Sequence, residues 1–404
     1  MKDVVIVGGG QAAVSLIGRL RELDPGRRIT LVCGEPHLPY QRPPLSKKYL
    51  TGEFEQDRLT LKPREWFDEQ KAVLHLGRVA EGIDLSDRRV ALAGGERIAF
   101  DDLAFCTGSD PRRLPAAIGR DLGRVYTLRG IADVDCMRAE LQPGRRVLVV
   151  GGGYIGLEAA AVCAKAGLKV TLIEAAPRIL QRVASEATSD FFRELHRSHG
   201  VDLREGTGLS GLAGNGAVER AVFSTGEEIP VDFVLVGIGI TPCDRLAAEA
   251  GLKVDNGIVV DEFCRTSDSH VFAAGDCANL PYRGRRIRLE SVQNAIDQGE
   301  AAATVIAGGA EPYDPKPWFW SDQYDIKLQI GGLNAGYDST IVRPGKRPGT
   351  QSVWYFGGGT LLAVDAMNDP ASYMVGRKLI EAGITPEREK IADPAFPLNT
   401  LMPR

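Results

Sequence analysis

The sequence lacks paired cysteines and long apolar runs. Its seven cysteines are scattered, and none belongs to a Cys-x-x-Cys or Cys-x-x-x-x-Cys pair. We therefore expect buried thiols without a catalytic role, and we exclude a built-in dithiol relay. No run of about 18 apolar residues is present, so no membrane-spanning helix is predicted.

An excess of charge of one sign is also lacking. The 49 Lys and Arg residues nearly balance the 53 Asp and Glu residues, which leaves a formal net charge of −4. This balance predicts no general attraction to nucleic acid or to membranes. The apolar run at residues 4–7 leads at once into glycines. This pattern argues against a secretion signal, and we expect a cytoplasmic protein.

Histidine is scarce, with five residues in the whole chain. His196 and His199 are three positions apart, but no carboxylate or cysteine pattern completes a metal site around them. We therefore predict no metal centre, and we expect both histidines to lie at the surface.

A strand–glycine turn–helix–strand–acid unit occurs twice in the chain. The first copy starts with the β-branched run at residues 4–7, continues into a glycine turn and ends near Glu35. The second copy starts at residues 147–150, continues through residues 151–156 and ends at Glu174. This order of elements is typical of dinucleotide-binding βαβ folds.

Three positions in each glycine turn have a physical role. The first makes a tight turn, the second lets the backbone approach a pyrophosphate, and the third must be small so that helix and strand pack closely. The helix N terminus then offers free N–H groups to the phosphates. The residues at these positions are Gly8, Gly10 and Ala13 in the first copy and Gly151, Gly153 and Gly156 in the second.

Two further apolar strands end in small or polar residues that suit the same ligand. The strand at residues 103–106 closes in Thr107 and Gly108, and a later strand is followed by Gly275 and Asp276. We expect Asp276 to begin a helix. One interpretation is an N-cap for that helix, and the other is a carboxylate that binds the polyol chain of a ligand.

Four stretches of the sequence carry a resemblance to a known group. They are residues 39–47, 151–158, 290–295 and 317–324. With the two βαβ units, they make the chain similar to the oxygenase-coupled NADH–ferredoxin reductases, a putidaredoxin reductase-like group of the glutathione reductase fold superfamily. The resemblance covers essentially the whole chain. Cys106 and Ala13 depart from the pattern of the group, in which alanine and glycine are usual, but both substitutes are small.

The resemblance implies an α/β fold with two Rossmann-like dinucleotide-binding domains, one for FAD and one for NADH. We predict the FAD-binding domain at residues 1–112 and 242–316 and the NADH-binding domain at residues 113–241. After a proline-rich linker, alternating strand patterns and one strong helix predict a small α+β domain at residues 317–404.

The resemblance also implies the cofactor contacts. Arg42 and Arg129 are expected at the adenine or phosphate end of FAD, Asp276 at the ribityl hydroxyls, and the helix near Val292 at the isoalloxazine. The expected FAD contacts carried over from the group are Ala12, Glu35, Arg42, Lys47, Val79, Arg129, Asp276 and Val292. The expected NADH contacts are Gly152, Tyr154, Ile155, Glu158, Glu174 and Gly239.

Glu174 favours NADH over NADPH. Its carboxylate can accept bonds from both ribose hydroxyls, whereas it repels a 2′-phosphate. Ala175 and Ala176 follow it and supply no neighbouring arginine, although Arg178 and Arg182 remain candidate helpers.

The resemblance places Lys47 and Glu158 beside flavin N5, where a paired charge tunes the flavin; a surface ion pair is the alternative. It also implies an external one-electron acceptor, a small acidic 2Fe–2S ferredoxin that serves a monooxygenase or dioxygenase. Trp320 is a candidate for the exit side of the flavin, and a core residue is the alternative interpretation. The candidate docking residues are Arg283, Arg285, Arg286, Arg288, Lys316, Arg377 and Lys378.

Several related functions stay open. An NADH oxidase or peroxidase, a rubredoxin reductase and a nitrite-reductase flavin subunit share this fold, and a signalling protein like apoptosis-inducing factor represents a different class. Oxidases and peroxidases often use a cysteine near residue 40, but Cys33 falls earlier, on the preceding strand. We expect a monomer or a weak homodimer.

Overall fold

The computed structural model describes residues 2–403, which fold into two compact units. The first unit contains residues up to Arg42, then Gln56–Asp110 and Ile240–Pro317. The second contains Pro43–Glu55, Pro111–Gly239 and the residues from Trp318 onward. The division into three domains stays a prediction. Among the described residues, no helix has both the length and the apolar character needed to cross a membrane.

The strands are numbered in chain order. Up to residue 111 they are β1 (Asp3–Val7), β2 (Arg28–Cys33), β3 (Ala72–Leu76), β4 (Ala80–Asp84), β5 (Arg89–Leu92), β6 (Arg97–Ala99), β7 (Asp102–Phe105) and β8 (Ser109–Pro111). Next come β9 (Val125–Thr127), β10 (Arg146–Val150), β11 (Lys169–Glu174), β12 (Asp202–Glu205), β13 (Leu209–Ala213), β14 (Arg220–Phe223), β15 (Glu228–Pro230) and β16 (Phe233–Val236).

The later strands and the helices complete the inventory. The strands are β17 (Ile240–Pro242), β18 (Ile258–Val259), β19 (Val271–Ala273), β20 (Ala278–Tyr282), β21 (Arg285–Ile287), β22 (Trp318–Gln323), β23 (Ile326–Gly332), β24 (Ser339–Pro344), β25 (Gln351–Gly357) and β26 (Thr360–Met367). The helices are α1 (Gln11–Leu23), α2 (Arg64–Glu69), α3 (Ile131–Arg138), α4 (Tyr154–Lys165), α5 (Glu186–Ser198), α6 (Arg245–Glu249), α7 (Val292–Ile306), α8 (Pro370–Glu381) and α9 (Arg388–Ala392).

A parallel sheet organises the first unit, with strand order β19-β7-β1-β2-β3. The strands β1 and β2 are almost entirely apolar because both faces of such a sheet are covered. Helix α1 packs its buried face, which includes Leu16 and Leu20, with buried residues of α7 such as Ala302. The chain leaves β1 for β2 on one side and returns to β7 on the other, so the strand order reverses at β1.

The second unit repeats this plan. Its parallel sheet has the order β12-β11-β10-β16-β9, and the order reverses at β10. A three-stranded antiparallel sheet, β13-β14-β15, packs with it through apolar residues such as Phe223. Ligands of doubly wound folds bind at the carboxyl ends of the strands where the order reverses. Each sheet therefore has one expected binding edge.

The residues from Trp318 onward form an antiparallel sheet with strand order β22-β23-β26-β25-β24. Helix α8 covers it, and fully buried Trp354 and Phe356 fill the core between them. The predicted α/β class, with two Rossmann-like units and a C-terminal α+β region, is confirmed.

Two local predictions are wrong. No helix begins at Asp276, because the left-handed Gly275 (φ +82°) turns the chain directly into strand β20. The N-cap interpretation of Asp276 therefore fails. His196 is fully buried rather than at the surface, since α5 turns it toward Gln323; His199 is exposed, as expected.

Candidate functional site

The first glycine turn joins β1 to α1. Gly8 has φ +110°, and a Cβ at this position would lie 2.2 Å from the carbonyl oxygen of Cys106. A Cβ at Gly9 would lie 2.4 Å from the Cys33 sulfur. In contrast, a Cβ at Gly10 would have no described atom within 4 Å. Gly10 is also the N-cap of α1 and has no side chain to cap the helix, so the first N–H groups are available to an anion.

The second glycine turn joins β10 to α4 with the same geometry. Gly151 has φ +109°, and its Cβ would lie 2.4 Å from the carbonyl oxygen of Gly237. A Cβ at Gly152 would lie 2.6 Å from Ile179. Gly153, the N-cap of α4, again faces space that is free of described atoms within 4 Å. Both turns therefore leave open the position at which a pyrophosphate would approach.

The carboxyl edge of the first sheet gathers the predicted FAD residues of that unit. Thr107 follows β7, and its hydroxyl donates to the carbonyl oxygen of Cys243 at 2.6 Å. Gly108 adopts φ +69°. Asp276 follows β19, and Ser109 donates to its Oδ2 at 3.2 Å. Asp276 is thus oriented in a turn at the edge where the strand order reverses.

Glu35 follows β2 at the same edge. Its carboxylate accepts hydrogen bonds from the Tyr40 hydroxyl and from Arg42 Nη2, the latter at 2.5 Å. The Arg42 guanidinium also lies 4.9 Å from the centre of the Tyr40 ring. Half-exposed Val79 lies beside Gly34, with its Cγ2 3.6 Å from a Cβ built there.

The two helices that flank this edge supply the remaining predicted FAD residues of the unit. Ala12 and Ala13 are buried in the first turn of α1, and a Cβ at Gly299 of α7 would lie 2.5 Å from the Ala12 carbonyl oxygen. Val292 is the first residue of α7, and the N-cap Ser291 accepts a hydrogen bond from the Asn294 N–H at 3.2 Å.

Glu174 ends β11 at the carboxyl edge of the second sheet. Its Oε2 accepts the Gly152 N–H at 2.7 Å, and its Oε1 accepts the Ala176 N–H at 2.8 Å. Each oxygen keeps a lone pair in reach of other donors, since a carboxylate offers about four acceptor sites. Gly239, at φ +104°, follows β16 on the neighbouring side of the edge.

Tyr154 and Ile155 begin helix α4. The Tyr154 ring packs 5.1 Å from that of Phe319, and its hydroxyl is buried without a hydrogen-bond partner among the described residues. Burial raises the pKa of Tyr154 well above its usual value. Ile155 is nearly half exposed, so it presents an apolar surface next to the glycine turn. Arg129 precedes α3, and its backbone N–H donates to Asp133 at 2.9 Å.

Lys47 and Glu158 form an ion pair within the second unit. Lys47 Nζ lies 3.0 Å from Glu158 Oε1, and their side chains are only 20 and 8% exposed. Ser321 donates a hydrogen bond to Glu158 Oε1 at 2.8 Å, and Ser46 donates to Oε2 at 3.2 Å. A surface ion pair is therefore the wrong interpretation. The carboxylate is enclosed by three donors, which fix its orientation.

Trp320 lies on β22 within a row of aromatic residues. Its ring centre is 5.5 Å from that of Trp318 and 6.4 Å from that of Phe319. Trp320 is partly buried, so neither a pure core role nor an exposed one describes it. Its predicted position at the exit side of the flavin stays a prediction.

The sequence argument missed the polar partners of the predicted residues. They are Tyr40 on Glu35, Ser109 on Asp276, and Ser46, Ser321 and Gln323 around Glu158. The sequence did contain a pattern that groups two of these residues. Side chains alternate along a strand, so Ser321 and Gln323 lie on one face of β22 and Trp320 lies on the other.

Two family descriptions match the chain. One, pyridine nucleotide-disulphide oxidoreductase, matches residues 2–299, and the other, reductase C-terminal, matches residues 318–402. The chain belongs to the pyridine nucleotide-disulphide oxidoreductase family. Membership implies that the chain binds FAD and a nicotinamide dinucleotide and acts as an oxidoreductase.

Named members of the family are similar over almost their whole length. A ferredoxin–NAD(P)+ reductase of a Sphingomonas species is 44% identical over 99% of this chain and 97% of its own length. Putidaredoxin reductase CamA of Pseudomonas putida is 38% identical over 99% and 96%. The structure of a covalent putidaredoxin reductase–putidaredoxin complex superimposes with a TM-score of 0.95, at 38% identity, over 99% of this chain and 98% of the other.

This member of the disulphide oxidoreductase family has no disulfide, because all seven cysteines are free. Five are buried, and burial raises the pKa of their thiols: Cys33, Cys106, Cys163, Cys264 and Cys277. The expectation of burial is wrong for Cys136, which is exposed, and only partly met by Cys243. Raised pKa values keep the buried thiols protonated and poorly reactive.

The candidate docking residues of this oxidoreductase fall into two groups. Arg286 binds the carbonyl oxygen of Val260 at 2.6 Å, and Arg288 binds that of Asp276 at 2.9 Å and pairs with Glu290. Both arginines bind backbone carbonyl oxygens, and Arg286 is exposed, so their role in docking also stays a prediction. Exposed Arg283, Arg285 and Lys316 stay predictions, as do Arg377 and Lys378, which both pair with Glu381.

Proposed function

We propose that the protein is an FAD-dependent NADH–ferredoxin reductase that delivers single electrons to a 2Fe–2S ferredoxin serving a monooxygenase or dioxygenase. The similarity to a ferredoxin–NAD(P)+ reductase and to putidaredoxin reductase, each over nearly its whole length, supports this assignment. When bound, FAD supplies the redox chemistry, since it accepts a hydride and releases electrons one at a time.

The first glycine turn fits the pyrophosphate of FAD. Gly10 leaves space for the phosphates, and the N terminus of α1 supplies N–H donors. In the proposal, Asp276 accepts hydrogen bonds from the ribityl hydroxyls, while Glu35 binds a ribose hydroxyl. Arg42 neutralises the adenine or phosphate end.

The second glycine turn is proposed to hold NADH. Gly153 leaves the corresponding space, and Glu174 is fixed by two backbone N–H groups at the position from which it would accept the ribose hydroxyls. A carboxylate held so firmly would not swing away from a 2′-phosphate. This rigidity supports the assignment of NADH rather than NADPH.

Lys47 and Glu158 are proposed to lie beside flavin N5. Their 3.0 Å ion pair is shielded from water, so the Coulombic interaction between them is stronger than at the surface. A lysine held in this way keeps a fixed positive charge where negative charge grows as the flavin is reduced. Trp320 is assigned to the side at which electrons leave.

One observation carries the proposal of an external acceptor. The family contains disulfide oxidoreductases, but no disulfide joins any of the seven cysteines of this chain. The electrons therefore require another acceptor. A 2Fe–2S ferredoxin fits, because the solved structure with a TM-score of 0.95 holds a reductase joined to putidaredoxin.

An anaerobic titration with NADH tests the core of the proposal. We expect the yellow, FAD-loaded protein to be bleached by about one equivalent of NADH and to reduce cytochrome c only when a 2Fe–2S ferredoxin is added. No bleaching would overturn the function. If the bleached flavin were reoxidised in air as fast without ferredoxin as with it, the protein would be an NADH oxidase instead.

The salt response tests the docking residues. If Arg283, Arg285 and Lys316 attract an acidic ferredoxin, its reduction slows markedly as ionic strength rises, because about 0.15 M salt screens exposed charges beyond roughly 8 Å. Reduction of a small uncharged dye serves as the control and keeps its rate. A flat response with ferredoxin would remove these residues from the docking surface.

A further inference from the structure

A continuous chain of hydrogen bonds, buried from His196 onward, leads to Glu158. The Tyr324 hydroxyl lies 3.4 Å from Nδ1 of His196, and His196 Nε2 lies 2.8 Å from Gln323 Oε1. Gln323 Nε2 in turn donates to Ser321 Oγ at 3.2 Å, and Ser321 Oγ donates to Glu158 Oε1 at 2.8 Å. Three of the four links join residues at least 127 positions apart in the sequence.

The chemistry of the groups gives the chain one direction. The Gln323 amide nitrogen is a donor only, so its other end, Oε1, must accept the bond from His196. His196 therefore carries its proton on Nε2, and its Nδ1 accepts from Tyr324. Ser321 receives a bond from Gln323 and gives its own proton to the carboxylate. Every donor in the chain points toward Glu158.

The surroundings keep this arrangement in place. His196, Gln323 and Ser321 are each 0% exposed. Burial lowers the pKa of His196 to about 4, so the imidazole is neutral near pH 7 and one of its nitrogens stays an acceptor. Lys47 is the charged neighbour at the Glu158 end. At the other end the titratable neighbours of Tyr324 are His199, which stacks on its ring at 3.7 Å, and buried Cys163.

We propose that Ser321, Gln323 and His196 are positioning residues that hold Glu158 as a carboxylate in one orientation, and thereby aim Lys47 for hydride transfer. The role in hydride transfer rests on the proposed function, whereas the orientation of the chain does not. Fixed donors of this kind require no rearrangement at the moment of reaction. Local sequence patterns do not reveal this contact, because Ser321 and Glu158 are 163 positions apart.

The chain acts through fixed dipoles rather than as a proton relay. A primary amide such as Gln323 passes a proton on only through an unstable imidic acid tautomer, so the relay would break at its centre. The polarised donors instead hold the Glu158 carboxylate in one orientation, since Ser321 and Ser46 each donate a hydrogen bond to one of its two oxygens. Proton release to solvent is therefore not part of the proposed role.

Substitution of Ser321 gives the most direct test. We expect Ser321→Ala to slow the anaerobic reduction of the flavin by NADH about tenfold, with less than a threefold change in the Kd of NADH, and Ser321→Thr, which keeps the hydroxyl, to restore most of the rate. Gln323→Met keeps the length of the side chain but removes its donor, and we expect it to slow the reduction of the flavin as well. Ser210→Ala makes the same change at an exposed serine on β13, outside the chain of hydrogen bonds, and is the matched control with the wild-type rate.

Two readouts do not depend on turnover. In flavin-free, 15N-labelled protein, the His196 ring should be the Nε2–H tautomer, and Gln323→Met should remove that preference. The carboxylate stretching band of Glu158 in the infrared spectrum, identified with Glu158→Gln, should change its frequency in Ser321→Ala, because one carboxylate oxygen loses a hydrogen bond. An Nδ1–H tautomer in the wild type, or an unchanged Glu158 carboxylate band in Ser321→Ala, would overturn the inference.

These outcomes separate the inference from the proposed function. If NADH bleaches the wild-type flavin but Ser321→Ala reacts at the wild-type rate with an unchanged pH profile, the positioning role fails and the reductase stands. If NADH does not bleach the wild type, the reductase assignment fails. The His196 tautomer and the Glu158 carboxylate band then still decide whether the chain of hydrogen bonds orients Glu158.

Discussion

The two glycine turns begin alike and diverge in their third small residue. Their first glycines have nearly the same φ, +110° at Gly8 and +109° at Gly151. At the third position, the first turn holds the methyl group of buried Ala13, whereas a Cβ at Gly156 would lie only 2.0 Å from the Gly151 carbonyl oxygen. Helix α4 therefore approaches its own turn more closely than α1 does.

The acids of the two turns are also held differently. Glu174 accepts two backbone N–H groups, one of them from Gly152 within the glycine turn itself. Glu35 is bound by the side chains of Tyr40 and Arg42, from the segment that follows β2. The same motif thus serves two purposes. In the second unit the acid is part of the turn, and in the first it is joined to the predicted FAD-binding arginine.

The largest expected effect, on the free energy of unfolding, comes from exchanging the residues at the third position of the two glycine turns. Gly156→Ala should lower the free energy of unfolding by about 2–3 kcal/mol, the usual cost of overpacking, because the new methyl group meets backbone rather than a movable side chain. Ala13→Gly should cost only about 1 kcal/mol, since it removes a small methyl group from a helix. Urea unfolding of the two variants measures both values, and equal losses would show that the two helices approach their turns equally.

The second prediction asks which turn holds which dinucleotide. A Cβ at Gly10 or Gly153 has open space, so Gly10→Ala and Gly153→Ala should change the free energy of unfolding by less than about 1 kcal/mol. Gly10→Ala should weaken FAD binding and Gly153→Ala should weaken NADH binding, each by about 10- to 100-fold, which corresponds to about 1.4–2.7 kcal/mol.

Each variant of this pair is the control for the other. Retained flavin is measured from the absorbance of the purified protein, and NADH affinity from titration of the flavin-loaded protein under anaerobic conditions. If Gly153→Ala lost FAD and kept its affinity for NADH, the assignment of the two turns would have to be exchanged.

Much of this comparison was accessible from the sequence. Glycine spacing, β-branched strands and terminal acids define local units, and the structure has both units where the pattern placed them. The alternating strand patterns and the strong helix predicted after the proline-rich linker are present as β22 to β26 and α8. Alternation and glycine turns are properties of neighbouring residues, so they are visible without knowledge of the rest of the chain.

The errors arose where partners are distant or a glycine changes the path of the chain. His196 looked like a polar surface residue of a helix, but its partner Gln323 lies 127 positions further along. Asp276 looked like a helix start because it follows a strand and a glycine, yet Gly275 adopts φ +82° and leads into another strand. Neither the burial of a polar side chain nor the φ of one glycine follows from local composition.

The third prediction concerns the two acids. Glu174→Gln should reduce the preference for NADH over NADPH about 5- to 10-fold, roughly 1–1.4 kcal/mol, because the amide no longer repels a 2′-phosphate. Glutamine keeps one acceptor oxygen, so it retains one of the two backbone N–H bonds, from Gly152 or Ala176, and loses the other. The measurement is the ratio of kcat/KM for the two nucleotides.

Glu35→Gln, which makes the same change in the acid of the first unit, is the matched control for Glu174→Gln. It should weaken FAD retention without changing the NADPH to NADH ratio, since it lies in the other unit. A ratio that does not change in Glu174→Gln would contradict the proposed ribose contact, whatever happens to FAD.

The smallest expected effect comes from the residues that lie behind the two turns. Gly9 of the first turn lies against the Cys33 sulfur, whereas Gly152 of the second lies against Ile179. The first turn thus has a thiol at the place where the second has a methyl group. Burial raises the pKa of the Cys33 thiol, so it should stay protonated at neutral pH and take no part in electron transfer.

Cys33→Ala tests whether this thiol is only a packing residue. Flavin reduction by NADH and ferredoxin-dependent turnover should stay within about twofold of the wild type, because the substitution removes a buried thiol and leaves the glycine turn open. Iodoacetamide at neutral pH should label exposed Cys136 before Cys33. If Cys33→Ala retained its flavin and its fold but lost turnover, a cysteine would carry electrons after all. The protein would then resemble the cysteine-dependent NADH oxidases and peroxidases more than a ferredoxin reductase.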